Sequence, residues 1–131
     1  MSVLTPTFNN PPPDSLLDSL EQLRVAIGKG DANELVGLFI SDGQAALSGF
    51  DNADRLGDEA ALKHSAADLL GLSSLMGART LAELSRDLYR DAPDRGARRR
   101  RIAAIQQEWN RVEWLLSLWT RVEPMDSRSV A

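Results

Sequence analysis

Apolar residues recur along most of this chain at steps of three, four and seven, the spacing of a helix that buries one stripe. No segment sustains the period of two expected of a half-buried strand. The last segment is the clearest: Ile102, Ile105, Trp109, Val112, Leu116 and Trp119 follow one another with Glu, Arg and Gln between them. Upstream, Leu81, Leu84 and Leu88 predict a fourth helix that DAPDRG stops. Leu62, Ala66, Leu69, Ser73 and Met76 predict a third, capped by Asp58 and ended or bent at Gly77.

The first half reads less cleanly. Leu16, Leu17, Leu20, Leu23 and Ile27 predict a first helix behind a cap at Asp14 or Ser15, stopped by GKGD. Asp31 then serves as cap for a second helix bearing Leu35, Leu38, Phe39, Ala46, Leu47 and Phe50. Gly37, Gly43 and Gly49 each cost about 1 kcal/mol against alanine and weigh against an unbroken helix. The block DNADRLGD reads as a loop. The expected fold is all-α: an antiparallel four-helix bundle from the second to the fifth helix, with the first packed over one end. The expected layout is a Pro-rich arm over 1–13, one helical domain over 14–123 and a tail over 124–131.

Composition narrows the chemistry. The chain has no cysteine and one histidine, so within one chain thiol nucleophiles, zinc-thiolate sites and multi-histidine metal sites are excluded. No apolar run approaches the roughly 20 residues of a spanning helix, and the start lacks the pattern of a secretory signal. No membrane insertion and a cytoplasmic location are therefore expected. The net charge of −4 gives no footing for nucleic acid. The one concentrated charge, Arg98–Arg101 in ARRRR, carries no interleaved aromatic residue. Arginines at a helix start oppose the dipole by some tenths of a kcal/mol each, roughly, and Asp87, Asp91 and Asp94 are expected to offset them. Trp109 and Trp119 fall on the last helix's stripe, whereas Trp114 falls off it, at a helix edge or open to a partner.

His64 and Asp68 stand four apart, the spacing of a surface pair, with no third group to make a triad. Glu-x-x-His motifs and phosphate-cradling loops are absent. Neither a catalytic residue nor a cofactor is expected.

The segment AALKHSAADLLGLSSLMGARTLAELSRDLYR resembles the signature of histidine-phosphotransfer (HPt) domains. In that family Ala-Ala precedes His-x-Leu-Lys-Gly-Ser, followed by an apolar run, Gly-Ala and Leu-x-x-Leu. Leu69, Gly71, Gly77, Ala78, Leu81 and Leu84 fall on the matching positions, without a gap between the family's histidine position and its Gly-Ala. The resemblance spans roughly Asn33 to Arg121. It places Ala67 where the phosphorylated histidine belongs and Leu70 where the lysine belongs. Alanine has no lone pair to attack an aspartyl phosphate, and leucine cannot neutralise phosphoryl charge. The resemblance thus implies a degenerate member: a non-phosphorylatable adaptor, monomer or weak dimer, that binds a response-regulator receiver domain or a histidine kinase.

Its expected partner-docking face is Lys63, Ala67, Leu70, Gly71 and Ser74, with Gly71 leaving a dent for close approach. Two alternatives stand beside this reading. One is an active phosphocarrier using His64, which lies one turn back, about 60° around the helix and roughly 4.5 Å along it from Ala67. The other is a small acidic helical chaperone or scaffold that associates through Trp114 and the last helix.

Overall fold

A computed structural model describes residues 16–90 and 94–122. Five α-helices account for nearly all of them: α1 Leu16–Ile27, α2 Lys29–Leu56, α3 Glu59–Met76, α4 Arg79–Arg90 and α5 Arg95–Arg121. The fold is all-α, with no strand among the described residues. The expected cap at Asp14 or Ser15, the 1–13 arm, the tail from 124 and Asp91 lie outside them.

Three long helices bury stripes whose steps alternate between three and four. In α2 the stripe is Ala32, Val36, Phe39, Gly43, Ala46, Phe50 and Ala53. In α3 it is Leu62, Ala66, Leu69, Ser73 and Met76, and in α5 it is Ile102, Ile105, Trp109, Val112 and Leu116. A mean step of 3.5 keeps a stripe turned toward the same neighbours along a helix. Accordingly α2 packs on α3, α3 on α4, α4 on α5 and α5 on α2, while α1 lies against α2 and touches α3.

The second helix departs most from its expectation. It runs unbroken through Gly37, Gly43 and Gly49, and through the DNADRL predicted as loop. Only Gly57 and Asp58 separate it from α3. Its polar end stays helical because Phe50 and Ala53 still face the core, while Asp51 and Asn52 point to water. Gly57 then closes the helix in the left-handed conformation, at φ 69°. At the other end Gly28 alone, at φ 89°, parts α1 from α2, so Asp31 sits in the first turn and is not the cap. Leu35 and Leu38, expected in the core, are exposed; Ala32, Val36 and Gly43 take the inner positions instead. Leu17 and Ile27 of α1 are likewise exposed, and Leu16 and Leu20 carry its buried face.

Close approach explains the small residues in the stripe. Trp109 of α5 lies over Gly43 of α2, where a methyl group would overlap the indole ring. Phe39 meets the same indole with ring centroids 5.6 Å apart. Glycine costs about 1 kcal/mol in a helix. Burial of a large apolar side chain returns about 1.5–3 kcal/mol, so packing wins. Between α2 and α3, Gly49 faces the Ser65 hydroxyl at similarly short range. Ser73 and Ser85 are fully buried, and their hydroxyls donate to the carbonyls of Leu69 and Leu81 at 2.6 and 2.8 Å.

Polar clamps join the same two helices at both ends. Lys29, at the start of α2, donates to the Trp119 and Val122 carbonyls at 2.8 and 2.9 Å and stands 4.0 Å over the Trp119 ring. A cation there satisfies the open carbonyls and the negative dipole end of α5. At the far end, Asp54 of α2 receives two arginines from the start of α5.

Gly43 and Gly71 are expected to respond oppositely to alanine. Gly43→Ala should destabilise by about 1–3 kcal/mol through overpacking against Trp109. Gly71→Ala, where an added methyl meets nothing within 4 Å, should stabilise by about 0.5–1 kcal/mol. Urea unfolding followed by circular dichroism measures both.

Candidate functional site

The outer side of α3 carries the expected docking positions and His64. Its buried stripe turns Lys63, Ala67, Gly71 and Ser74 to solvent and leaves Leu70 half-buried. Asp58 fixes the helix start by accepting from the Ala61 amide at 3.0 Å, and Gly77 ends it at φ 77°. The middle of the ridge is therefore trimmed to small side chains: Ala67, Gly71 and Ser74. Gly71 serves no crossing between the described helices, because no described residue lies within 4 Å of the place its Cβ would occupy.

Hollows flank the ridge on both sides. Toward α2 a cleft of about 520 Å³ is lined by Ala67, Asp68 and Gly71 together with Asp42, Ser65 and Leu75. Toward α4 a second, of about 390 Å³, is lined by Ser74, Arg79, Glu83 and Arg86. The ridge thus has carboxylates on one flank and two guanidinium groups on the other, with a carboxylate between them. His64 projects from the same helix, its side chain 79% exposed, with Nε2 3.5 Å from Asp68 Oδ2. Among the described residues no three His, Asp or Glu side chains converge as a metal site would require.

The arginine run is held differently from its expectation. Arg98 and Arg99 each direct Nε to one oxygen of Asp54, both at 3.2 Å. Arg101 donates to the Asp87 carbonyl oxygen at 3.2 Å, so Asp87 contributes backbone and not its carboxylate. Asp94 is the N-cap, accepting from the Ala97 amide at 2.7 Å. Asp54 is 11% exposed. Burial pushes its pKa up, but the hydrogen bonds from Arg98 and Arg99 outweigh that and hold it below the ordinary carboxylate value.

Of the tryptophans, Trp109 is buried, Trp119 is partly buried beneath Lys29, and Trp114 is 62% exposed beside the exposed Leu118. The sequence reading missed an apolar surface made by Leu35, Leu38 and Leu75. Leu75 was findable, since it lies off the third helix's stripe. Leu35 and Leu38 were not, because their residue type and spacing imitate a core.

Comparison of the chain with family models, curated proteins and solved structures finds no match.

The Asp54 clamp has a signed pH dependence. A carboxylate whose folded pKa is depressed adds stability above its unfolded pKa and loses it as pH falls through the folded one. The stability gap between wild type and Asp54→Asn should therefore be widest at pH 7 and shrink below about pH 4. Urea midpoints of the two proteins at pH 7 and pH 3 measure it.

Proposed function

We propose that this chain is a non-phosphorylatable HPt-like adaptor of two-component signalling. It binds a response-regulator receiver domain or a histidine-kinase module in the cytoplasm and acts by competition or sequestration. In this reading α2 to α5 form an antiparallel four-helix bundle with α1 over one end. The cyclic packing of α2, α3, α4 and α5 and the short joints between them support that arrangement.

The observation that carries the proposal is the open ridge of α3. Ala67 and Gly71 are exposed at the positions where the resemblance places the phospho-acceptor and its following glycine. A solvent-facing glycine in mid-helix costs stability and meets no described residue, and at this position it leaves room for a partner's backbone to approach closely. Lys63 and Ser74 border it with polar groups, and Arg79 and Arg86 stand across the α4-side hollow. No helix among the described residues is long and apolar enough to cross a membrane, which is compatible with this placement.

Substituting Gly71 tests the surface. Gly71→Arg should abolish capture of a receiver domain or sensor kinase by the immobilised chain, with the circular dichroism spectrum unchanged. Retained capture would remove this face from the proposal. Incubation with a radiolabelled phospho-receiver should leave the chain unlabelled. Label held by wild type and lost in His64→Ala would instead install the His64 phosphocarrier.

A further inference from the structure

An apolar groove lies where α1, α2 and α3 meet, separate from the five ridge positions. It encloses about 400 Å³. Leu35 and Leu38 of α2 form one wall and Leu72 and Leu75 of α3 the other, above the nearly buried Phe39 and Met76. Leu38 is 60% exposed and Leu75 82%, which leaves large apolar surface in water. Two adjoining hollows extend the groove: one shares Leu35 and Leu38 with it, the other Leu72 and Leu75.

The walls limit what can lie there. All three are α-helices, whose backbone amides and carbonyls are paired within each helix, so they offer no ladder to an extended strand. Ser19 and Asp42 are the polar residues lining the central groove. An occupant must therefore satisfy its own backbone, as a helix does. Charge selects further. Among the described residues, the charged ones lining the three hollows are Asp31, Glu34, Asp42 and Asp68, with no lysine or arginine. A helix that laid leucine-class side chains between the two leucine pairs would place its flanks beside these carboxylates.

We infer that this groove binds a basic amphipathic helix of another protein, with apolar anchors three and four residues apart and lysine or arginine along both flanks. The groove adjoins the cleft that Ala67 and Gly71 line, but its apolar anchors are Leu35, Leu38, Leu72 and Leu75, and its test does not depend on a receiver or a kinase.

The probe is a fluorescein-labelled Leu/Lys peptide of helical amphipathic design, titrated with the full chain and read by fluorescence anisotropy. The control is its counterpart with every lysine replaced by glutamate. The lysine peptide should bind at least about tenfold tighter than the glutamate peptide. Leu38→Glu and Leu75→Glu should each weaken lysine-peptide binding by about tenfold or more. Each adds a negative charge that by itself would strengthen attraction, so loss isolates the apolar contact. Both positions are exposed, and circular dichroism verifies that the variants stay folded.

Five results overturn the inference. Lysine-peptide binding that both variants leave unchanged would reveal diffuse charge attraction, and absence of binding or equal binding of the two peptides would remove the stated chemistry. Self-association in sedimentation that Leu38→Glu dissolves would assign the groove to a second copy, for which the exposed Trp114 and Leu118 offer a matching face. Binding that appears only after residues 1–13 are removed would assign it to this chain's own arm.

Discussion

Trp109 against Gly43 is the contact on which the remaining packing depends. A side chain at residue 43 would hold α5 away from α2, and Phe39 would lose its tilted contact with the indole. The two polar clamps lie at opposite ends of the same helix pair, so they work only when that middle contact has set the spacing. Lys29 reaches the last carbonyls of α5 and Asp54 reaches its first arginines. Neither clamp would align two long helices alone, because a hydrogen bond to a carbonyl or an ion pair in contact with water contributes only about 1 kcal/mol net. Together they determine register, while the buried stripes supply most of the stabilisation.

With α2 and α5 joined in this way, α3 is pinned along α2 by its buried stripe and by the close pass of Gly49 and Ser65. The outward side of α3 is then a geometric remainder. What faces solvent follows from what the stripe consumes. The small size of Ala67, Gly71 and Ser74 is a separate property, since larger residues would fit there without a clash at Gly71. That distinction divides the chain's glycines into those that the interior demands, such as Gly43, and those that it merely tolerates.

How much could be read without coordinates varied from helix to helix. The third and fifth helices were legible because each has one continuous stripe at steps of three and four, anchored by large residues at Leu62, Leu69 and Met76 or Ile102, Ile105 and Trp109, and the caps at Asp58 and Gly77 are local chemistry. The second was not, because its inner stripe is built largely of Ala32, Gly43, Ala46 and Ala53, which close packing selects and hydrophobicity alone does not reveal. DNADRL resembles a loop by composition, yet Asp54 stays in the helix beside Arg98, 44 positions away. Local patterns carry no signal of such a partner. The ridge positions on α3 were readable as the complement of its stripe, whereas the hollows beside them need the neighbouring helices in place.

At Gly28, one residue without a side chain sets the angle between α1 and α2. Any L-residue there would be strained at φ 89°, and relief would come by letting the two helices run on as a single rod. A straightened joint would lift Leu16 and Leu20 off their own core and present them to the vacant seat in a neighbouring copy. Gly28 is thus what lets α1 fold back on its own bundle, since the buried leucines alone would be equally satisfied in either molecule.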